Sequence, residues 1–365
     1  MGVVPFALPF KGGTVDCRVF GEGDDLYAAM LTDIARAHTV VRLESYILAA
    51  DEVGWSFARA LAERARAGLR VQVHVDSAGA LFEGTGKLFR FLRGAGVDAR
   101  LFNRWEWRDP LRYNRRNHRK LLITDEESVY IGGFNIHRES SLAQVGSGRW
   151  RDAHVRVAGG VAGQAIELFD ATWSGRTSRA VPPWVSAMRL VPNETAACRR
   201  VLRCLVLEAV TGARLRVFLA TPYFVPDRGL RAALVEAVDR GVDVRILLPH
   251  TTDHPLLQKA GRAMARRLAR KGVSFFEYLP RMMHSKLMIV DGRWACVGSA
   301  NTDYRSFFVN RELNLVTTQP AACASLESLL TQDFAESRQL TPSEQPASRL
   351  SAMTEAVVMR FRRWL

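Results

Sequence analysis

Two stretches of this chain carry the same reactive residues at the same spacing. The first reads His118-x-Lys120-x4-Asp125, followed by Gly132-x-x-Asn135. The second reads His284-x-Lys286-x4-Asp291, followed by Gly298-x-x-Asn301. An imidazole can serve as nucleophile or as general acid and base, an ammonium holds a non-bridging phosphate oxygen, and an amide adds a neutral donor. Two of each in one pocket suit a phosphodiester. One imidazole attacks phosphorus to form a phosphohistidine, the other protonates the leaving oxygen, and an acceptor hydroxyl then reverses the roles. No Asp/Glu cluster has metal-ligand spacing, so the expected reaction needs neither metal nor cofactor. Lysine is scarce here: six of the 51 basic residues, and two of the six stand in these motifs.

The spacing predicts how the side chains are presented. In a strand, residues i and i+2 share a face, so His118 and Lys120 project together, as do His284 and Lys286. Leu121, Ile123, Leu287 and Ile289 take the opposite face. Asp125 and Asp291 fall at the strand end, beside Glu126-Glu127-Ser128 and Gly292-Arg293. They are expected to anchor a turn there and not to touch the substrate. Short strands at 129–131 and 295–297 lead to the Gly-x-x-Asn loops, which offer Asn135, Asn301 and Ser299 as phosphate ligands. The candidate catalytic set is His118, Lys120, Asp125, His284, Lys286 and Asp291.

Upstream of each motif the chain repeats a second pattern. Residues 41–48 and 217–224 read as strands, 55–67 and 229–240 as amphipathic helices, Gly68 and Gly241 as stops, and 69–75 and 242–248 as further strands. Each is a βαβ unit with a right-handed crossover. The reading is an α/β fold duplicated about a pseudo-twofold axis: two mixed, mostly parallel sheets flanked by helices, with the active site where the halves meet. Expected boundaries are an N-terminal segment at 1–13, a first domain at 14–185 and a second at 186–339. Residues 340–365 follow as a linker and a basic amphipathic helix.

Composition narrows the partners. The net charge is +14 over 365 residues, which attracts anionic lipid or nucleic acid without choosing between them. No run of 18 apolar residues suggests a transmembrane helix. Five unpatterned cysteines argue against a disulfide framework or zinc site. The first ten residues lack the positive start of a signal peptide, so a reducing cytosolic setting is expected. Basic and aromatic residues mix at Arg104-Trp105-Glu106-Trp107-Arg108. That stretch reads either as a lip for lipid headgroups or as a solvated loop. Residues 257–271 read either as a membrane-contacting basic helix or as an ordinary surface helix.

The double motif resembles the phospholipase D superfamily, and most closely the bacterial cardiolipin synthases. The resemblance is carried by Asn117-His118-Arg119-Lys120, Gly132-Gly133-x-Asn135, Thr221-Pro222-Tyr223-Phe224-Val225-Pro226-Asp227 and the run from Gly298 to Phe308. It implies that His118 is the nucleophile and His284 the acid/base, and that Asp152 and Glu312 bond the far nitrogens of the two imidazoles. It also implies transfer of a phosphatidyl group from one phosphatidylglycerol to the hydroxyl of a second, with release of glycerol. The partners would be anionic phospholipid and a membrane surface, with the protein peripheral on the cytoplasmic face and no nucleic acid expected. Alternatives from the same chemistry are a hydrolase or transphosphatidylase using another acceptor, and a nuclease. One departure stands out: Gly133 occupies the place that Ser299 fills in the second copy.

Overall fold

The structure, a computed structural model, describes residues 16–81, 84–105, 107, 114–177 and 181–341. Each upstream repeat folds as a strand, a helix and a parallel strand. In the first half these are β2 (Val40–Ser45), α2 (Glu52–Arg66) and β3 (Arg70–Asp76). In the second they are β9 (Arg216–Ala220), α8 (Arg228–Asp239) and β10 (Asp243–Pro249). Asp51 and Asp227 cap the helices by accepting from Gly54 N and Leu230 N. Gly68 and Gly241 end them with φ of +92° and +85°, a conformation that costs glycine little. Both first strands stop short of the expected end, leaving Tyr46 and Tyr223 in the loops beyond.

The remaining strands are β1 (Cys17–Phe20), β4 (Asp98–Phe102), β5 (Leu121–Thr124), β6 (Ser128–Gly132), β7 (His154–Ala158), β8 (Met188–Pro192), β11 (Ser274–Tyr278), β12 (Leu287–Val290), β13 (Trp294–Gly298), β14 (Leu313–Thr317) and β15 (Ser337–Gln339). They form sheets of order β1-β7-β6-β5-β2-β3-β4 and β15-β11-β10-β9-β12-β13-β14-β8. The two mixed sheets and their flanking helices agree with the expected duplicated fold. The expectation of mostly parallel ladders needs correction. Among the described residues only β2–β3–β4 and β9–β10–β11 pair in parallel; every other ladder is antiparallel. The reason is local. Asp125-Glu126 and Asp291-Gly292 adopt positive φ and turn each motif strand straight back into a hairpin, which admits only antiparallel pairing.

The helices are α1 (Gly23–Arg36), α3 (Ser77–Leu81), α4 (Thr85–Gly94), α5 (Leu142–Val145), α6 (Val161–Trp173), α7 (Ala196–Gly212), α9 (Pro255–Ala269), α10 (Tyr304–Phe308) and α11 (Pro320–Ala335), besides α2 and α8. Helices α1, α2 and α4 cover the outer face of the first sheet, and α7, α8 and α9 that of the second. Met264 and Leu268 of α9 are buried in that layer and Leu257 is buried as well, so its apolar face packs on the protein. The two inner faces meet in a central core shared with α6 and α11, where Leu121, Ile123, Leu287 and Ile289 lie together. The expected C-terminal helix lies outside the described residues.

Candidate active site

Strand direction brings the motifs to one end of the molecule. β2, β3, β4, β6, β9, β10, β11 and β13 all run toward it, and β5 and β12 run away from it. His118 and Lys120 precede β5, and His284 and Lys286 precede β12. The expectation that they sit within a strand is corrected: both pairs lie on extended leads whose backbone is paired with the opposite half. Asn117 bridges Arg311 and Met283 bridges Arg151, in parallel fashion. His118 N donates to Arg311 O at 2.9 Å and His284 N to Arg151 O at 2.6 Å. A lead held by the other half cannot join its own sheet, so the ladder starts one residue after each lysine.

The same exchange supplies the carboxylates. His118 Nδ1 lies 3.0 Å from Glu312 Oε2 of the second half, and His284 Nδ1 lies 2.7 Å from Asp152 Oδ2 of the first. Each half therefore orients the imidazole of the other. With Nδ1 so engaged, Nε2 is the ring nitrogen left to the site, because the hydrogen bond on one nitrogen sets the role of the other. Lys120 donates to His118 O at 2.7 Å and lies 5.4 Å from the centre of the Tyr46 ring, which packs edge-on against His118. Lys286 donates to the His284 carbonyl and lies 3.5 Å from Asp152 Oδ2. Trp150 packs against His284 with ring centres 5.5 Å apart.

Burial dominates the electrostatics. It pushes the Lys120 ammonium down to about 7, with the nearby charge of Lys286 adding to the effect. It also lowers Lys286. His118 is lowered by burial against the opposing pull of Glu312. His284 falls to about 4 through burial and then Lys286. Burial works against ionisation of Asp152 and Glu312 too, yet Lys286 and His284 hold the first below its usual range, and His118 with Lys120 holds the second. Burial thus favours neutral imidazoles and works against two neighbouring ammonium groups, while Asp152 and Glu312 are held toward their ionised form, a combination that an anion between the lysines would relieve.

The other candidates divide. Asn135 accepts from Ile47 N at 3.3 Å through Oδ1, and its amide nitrogen makes no bond among the described residues. Asn301 Oδ1 is shut from solvent without a donor. The Ser299 hydroxyl donates to Glu312 Oε2 at 2.5 Å and accepts from Leu313 N at 3.0 Å. Both bonds are spent on the carboxylate and its strand. Gly133 at the matching place has no such freedom, since a Cβ there would lie 2.1 Å from Asp152 Oδ1. Asp125 accepts from His38 N, Thr39 N, the Thr39 hydroxyl and Val40 N, and Asp291 from Arg214 N, Leu215 N and Arg216 N. Both aspartates lie beyond the far ends of β5 and β12, about 20 Å from the histidines at the usual rise per residue. Trp150 and Arg119 were not singled out from sequence. Arg119 is fully buried against Glu194 and Glu44 and donates to the Thr172 hydroxyl at 2.9 Å, another tie between the halves. Both stand beside residues that were singled out, in Trp150-Arg151-Asp152 and His118-Arg119-Lys120, which is the signal that pointed nearest to them.

A pseudo-twofold pair of α/β halves with a shared His-Lys site is the architecture of a phospholipase D-type transferase. The family model described as "cardiolipin synthase, PLD-like domain" matches residues 30–170 and 206–334. Cardiolipin synthase A of Pseudomonas fluorescens is 32% identical over 98% of this chain and 77% of its own length. That of Pseudomonas entomophila is 33% identical over 93% and 73%. The phosphatidylserine synthase of Haemophilus influenzae shares the fold, with a TM-score of 0.70 at 14% identity over 95% of this chain and 93% of that one. The chain belongs to the phospholipase D-like family of cardiolipin synthases, which are phosphatidyltransferases.

Proposed function

We propose that the protein makes cardiolipin from two molecules of phosphatidylglycerol through a covalent phosphohistidine. The observation that carries this is the crossed pair of imidazoles, each held through Nδ1 by a carboxylate of the opposite half, with Nε2 facing a site that holds two buried lysines. His118 Nε2 attacks the phosphorus of the first lipid. The bond from phosphorus to the glycerol oxygen breaks, and His284, protonated at Nε2, gives its proton to that oxygen. Glycerol leaves. The free hydroxyl of a second phosphatidylglycerol then attacks phosphorus, His284 takes its proton, and the P–N bond breaks to restore His118. The charge of the bound phosphodiester offsets the lysines, which raises His284 from about 4 toward a value at which it can act as the acid. One phosphodiester replaces another, so no nucleotide enters.

A membrane surface as the workplace has its own support. Eight large apolar side chains stand exposed among the described residues. Seven of them (Leu81, Trp105, Trp107, Leu142, Val145, Leu256 and Leu279) lie in connections leaving strands at the histidine end; Leu215, before β9, is at the other. An apolar rim around the site fits docking on a bilayer. No helix among the described residues is long and apolar enough to cross a membrane. The test is incubation with phosphatidylglycerol vesicles in EDTA, followed by mass spectrometry of the lipids. Cardiolipin and glycerol in equal amounts are expected from wild type, and neither from His118→Ala or His284→Ala. Phosphatidic acid alone would make the protein a hydrolase, and cleavage of single-stranded DNA without lipid turnover would make it a nuclease.

A further inference from the structure

Beside the active site, the second half contains a groove of about 610 Å³ that the mechanism above does not use. Its walls are the first turns of α7 and α8 together with α10, whose cap Asp303 follows Asn301 by two residues. Its floor is apolar, with Val206, Leu207, Phe307 and Phe308. Its rim is basic, with Arg199, Arg200, Arg203, Arg228 and Arg231.

The placement of those arginines is costly in the empty protein. The N-terminal turn of a helix carries partial positive charge, so cations there are disfavoured and anions favoured. Yet α7 has no acidic residue in its first turn, which ends on Arg199 with Arg200 just beyond it, and the first turn of α8 holds Arg228 and Arg231. The two carboxylates of the groove do not balance them. Asp227 is engaged by Arg203 at 2.5 Å and by Leu230 N, and Asp303 by Ser306 N. Arg200 and Arg228 are exposed and have no carboxylate partner among the described residues. Among the described residues Arg199 donates to the Val309 carbonyl, and its Nε is shut from solvent with no acceptor there. Several guanidinium groups, the positive ends of two helices and an apolar floor define one ligand chemistry: a phosphate-bearing headgroup joined to hydrocarbon. The volume is within the usual range of small-ligand sites.

We propose that this groove binds an anionic phospholipid of the bilayer, separate from the lipid under attack, with its phosphate among Arg199, Arg200 and Arg228 and its chains along Phe307 and Leu207. The inference rests on the reading that the chain works on phospholipid. A lipid held there would keep the active-site mouth against the membrane through successive turnovers.

The test uses phosphatidylglycerol carrying a photoreactive diazirine in one acyl chain, diluted into phosphatidylcholine vesicles, with the full-length protein and peptide mapping by mass spectrometry. Label is expected on peptides from α7 and α10. It should fall about tenfold in Arg200→Glu/Arg228→Glu, the size of one lost charge-assisted hydrogen bond, and by less in Arg200→Gln/Arg228→Gln. Both arginines are exposed, so the variants are expected to melt with the wild type. Glycerol phosphate, which has the headgroup but no chains, should compete poorly. No label on α7 and α10 overturns the proposal. So does equal label from a phosphatidylcholine probe, or label that the charge reversal leaves unchanged. If label appears while no cardiolipin forms, the lipid site stands and the proposed reaction falls; cardiolipin without label has the opposite meaning.

Discussion

Replacing Gly133 by alanine adds a single methyl group at a point where the two copies of the motif differ, Gly133 standing where the second has Ser299. That Cβ would lie 2.1 Å from Asp152 Oδ1 and 2.5 Å from its Cγ and Oδ2. Non-bonded atoms rest at about 3.5–4.0 Å, so the carboxylate must retreat by more than about 1 Å. Asp152 Oδ2 cannot do this and keep its 2.7 Å contact with His284 Nδ1. A hydrogen bond to a charged group contributes about 1.5–3 kcal/mol, and each 1.4 kcal/mol is about tenfold in rate. The expected loss in kcat is therefore roughly 10- to 150-fold, with a stability loss of about 1–3 kcal/mol from overpacking. Gly133→Ser, which makes the two copies alike in sequence, should do the same, because the methylene and not the hydroxyl causes the clash. The mirror change, Ser299→Gly, removes one donor from Glu312 and leaves its contact with His118, so about two- to tenfold is expected. The assay is the initial rate of cardiolipin formation from phosphatidylglycerol vesicles, with the melting temperature read alongside. A Gly133→Ala enzyme that melts with the wild type and turns over within about twofold of it would refute the argument, and with it the view that Asp152 must stay on His284.

Further outcomes can be checked with the same protein. Lys120 carries its charge only below a pKa of about 7 in the empty site, so kcat/KM should fall as pH rises through that value. The fall in kcat should come at higher pH, because the bound phosphodiester stabilises the ammonium; superimposed profiles would contradict this. Asp125→Ala removes the acceptor for four donors of residues 38 to 40 and should lower the melting temperature, by the equivalent of about 1–3 kcal/mol, with a smaller activity loss than His118→Ala. Equal activity losses would put Asp125 back in the chemistry. Arg119→Met strands the buried carboxylates of Glu44 and Glu194 and should cost about 3–5 kcal/mol, read by urea unfolding. Glu312→Gln should slow formation of the proposed phosphohistidine on His118, which lies in the other half, and a rapid-quench measurement of adduct would show this directly.

The features that sequence made legible are those written in local spacing. The βαβ units were readable because apolar periodicity and a glycine stop fall within some 35 residues of one another. The paired motifs were readable because the second copy repeats the first. What was hidden depends on pairing over long separations. Asp152 and Glu312 were named through resemblance alone, and nothing in their neighbourhoods says that each serves the imidazole of the other half, 132 and 194 residues away. The lysines and histidines alternate as a strand would, yet their backbone is claimed by Arg151 and Arg311, so the period was right and the element wrong. Ser299 reads as a phosphate ligand because a hydroxyl beside a glycine loop so often is. Only the nearness of Glu312 shows where its proton goes.

The exchanged carboxylates bear on how the chain comes into being. During synthesis the first half leaves the ribosome early and can fold as a unit. It then displays His118 and Lys120 but has no Glu312, because β14 has not yet been made. The second half, when it emerges, finds no Asp152 of its own. Both orienting carboxylates are therefore in place only once the halves have docked, where Arg311 takes the backbone beside His118 and Arg151 the backbone beside His284. A nascent or partly unfolded chain has neither carboxylate–imidazole pair. The two pairs are thus a mark of completed assembly, written into the geometry of the site and not into either half alone.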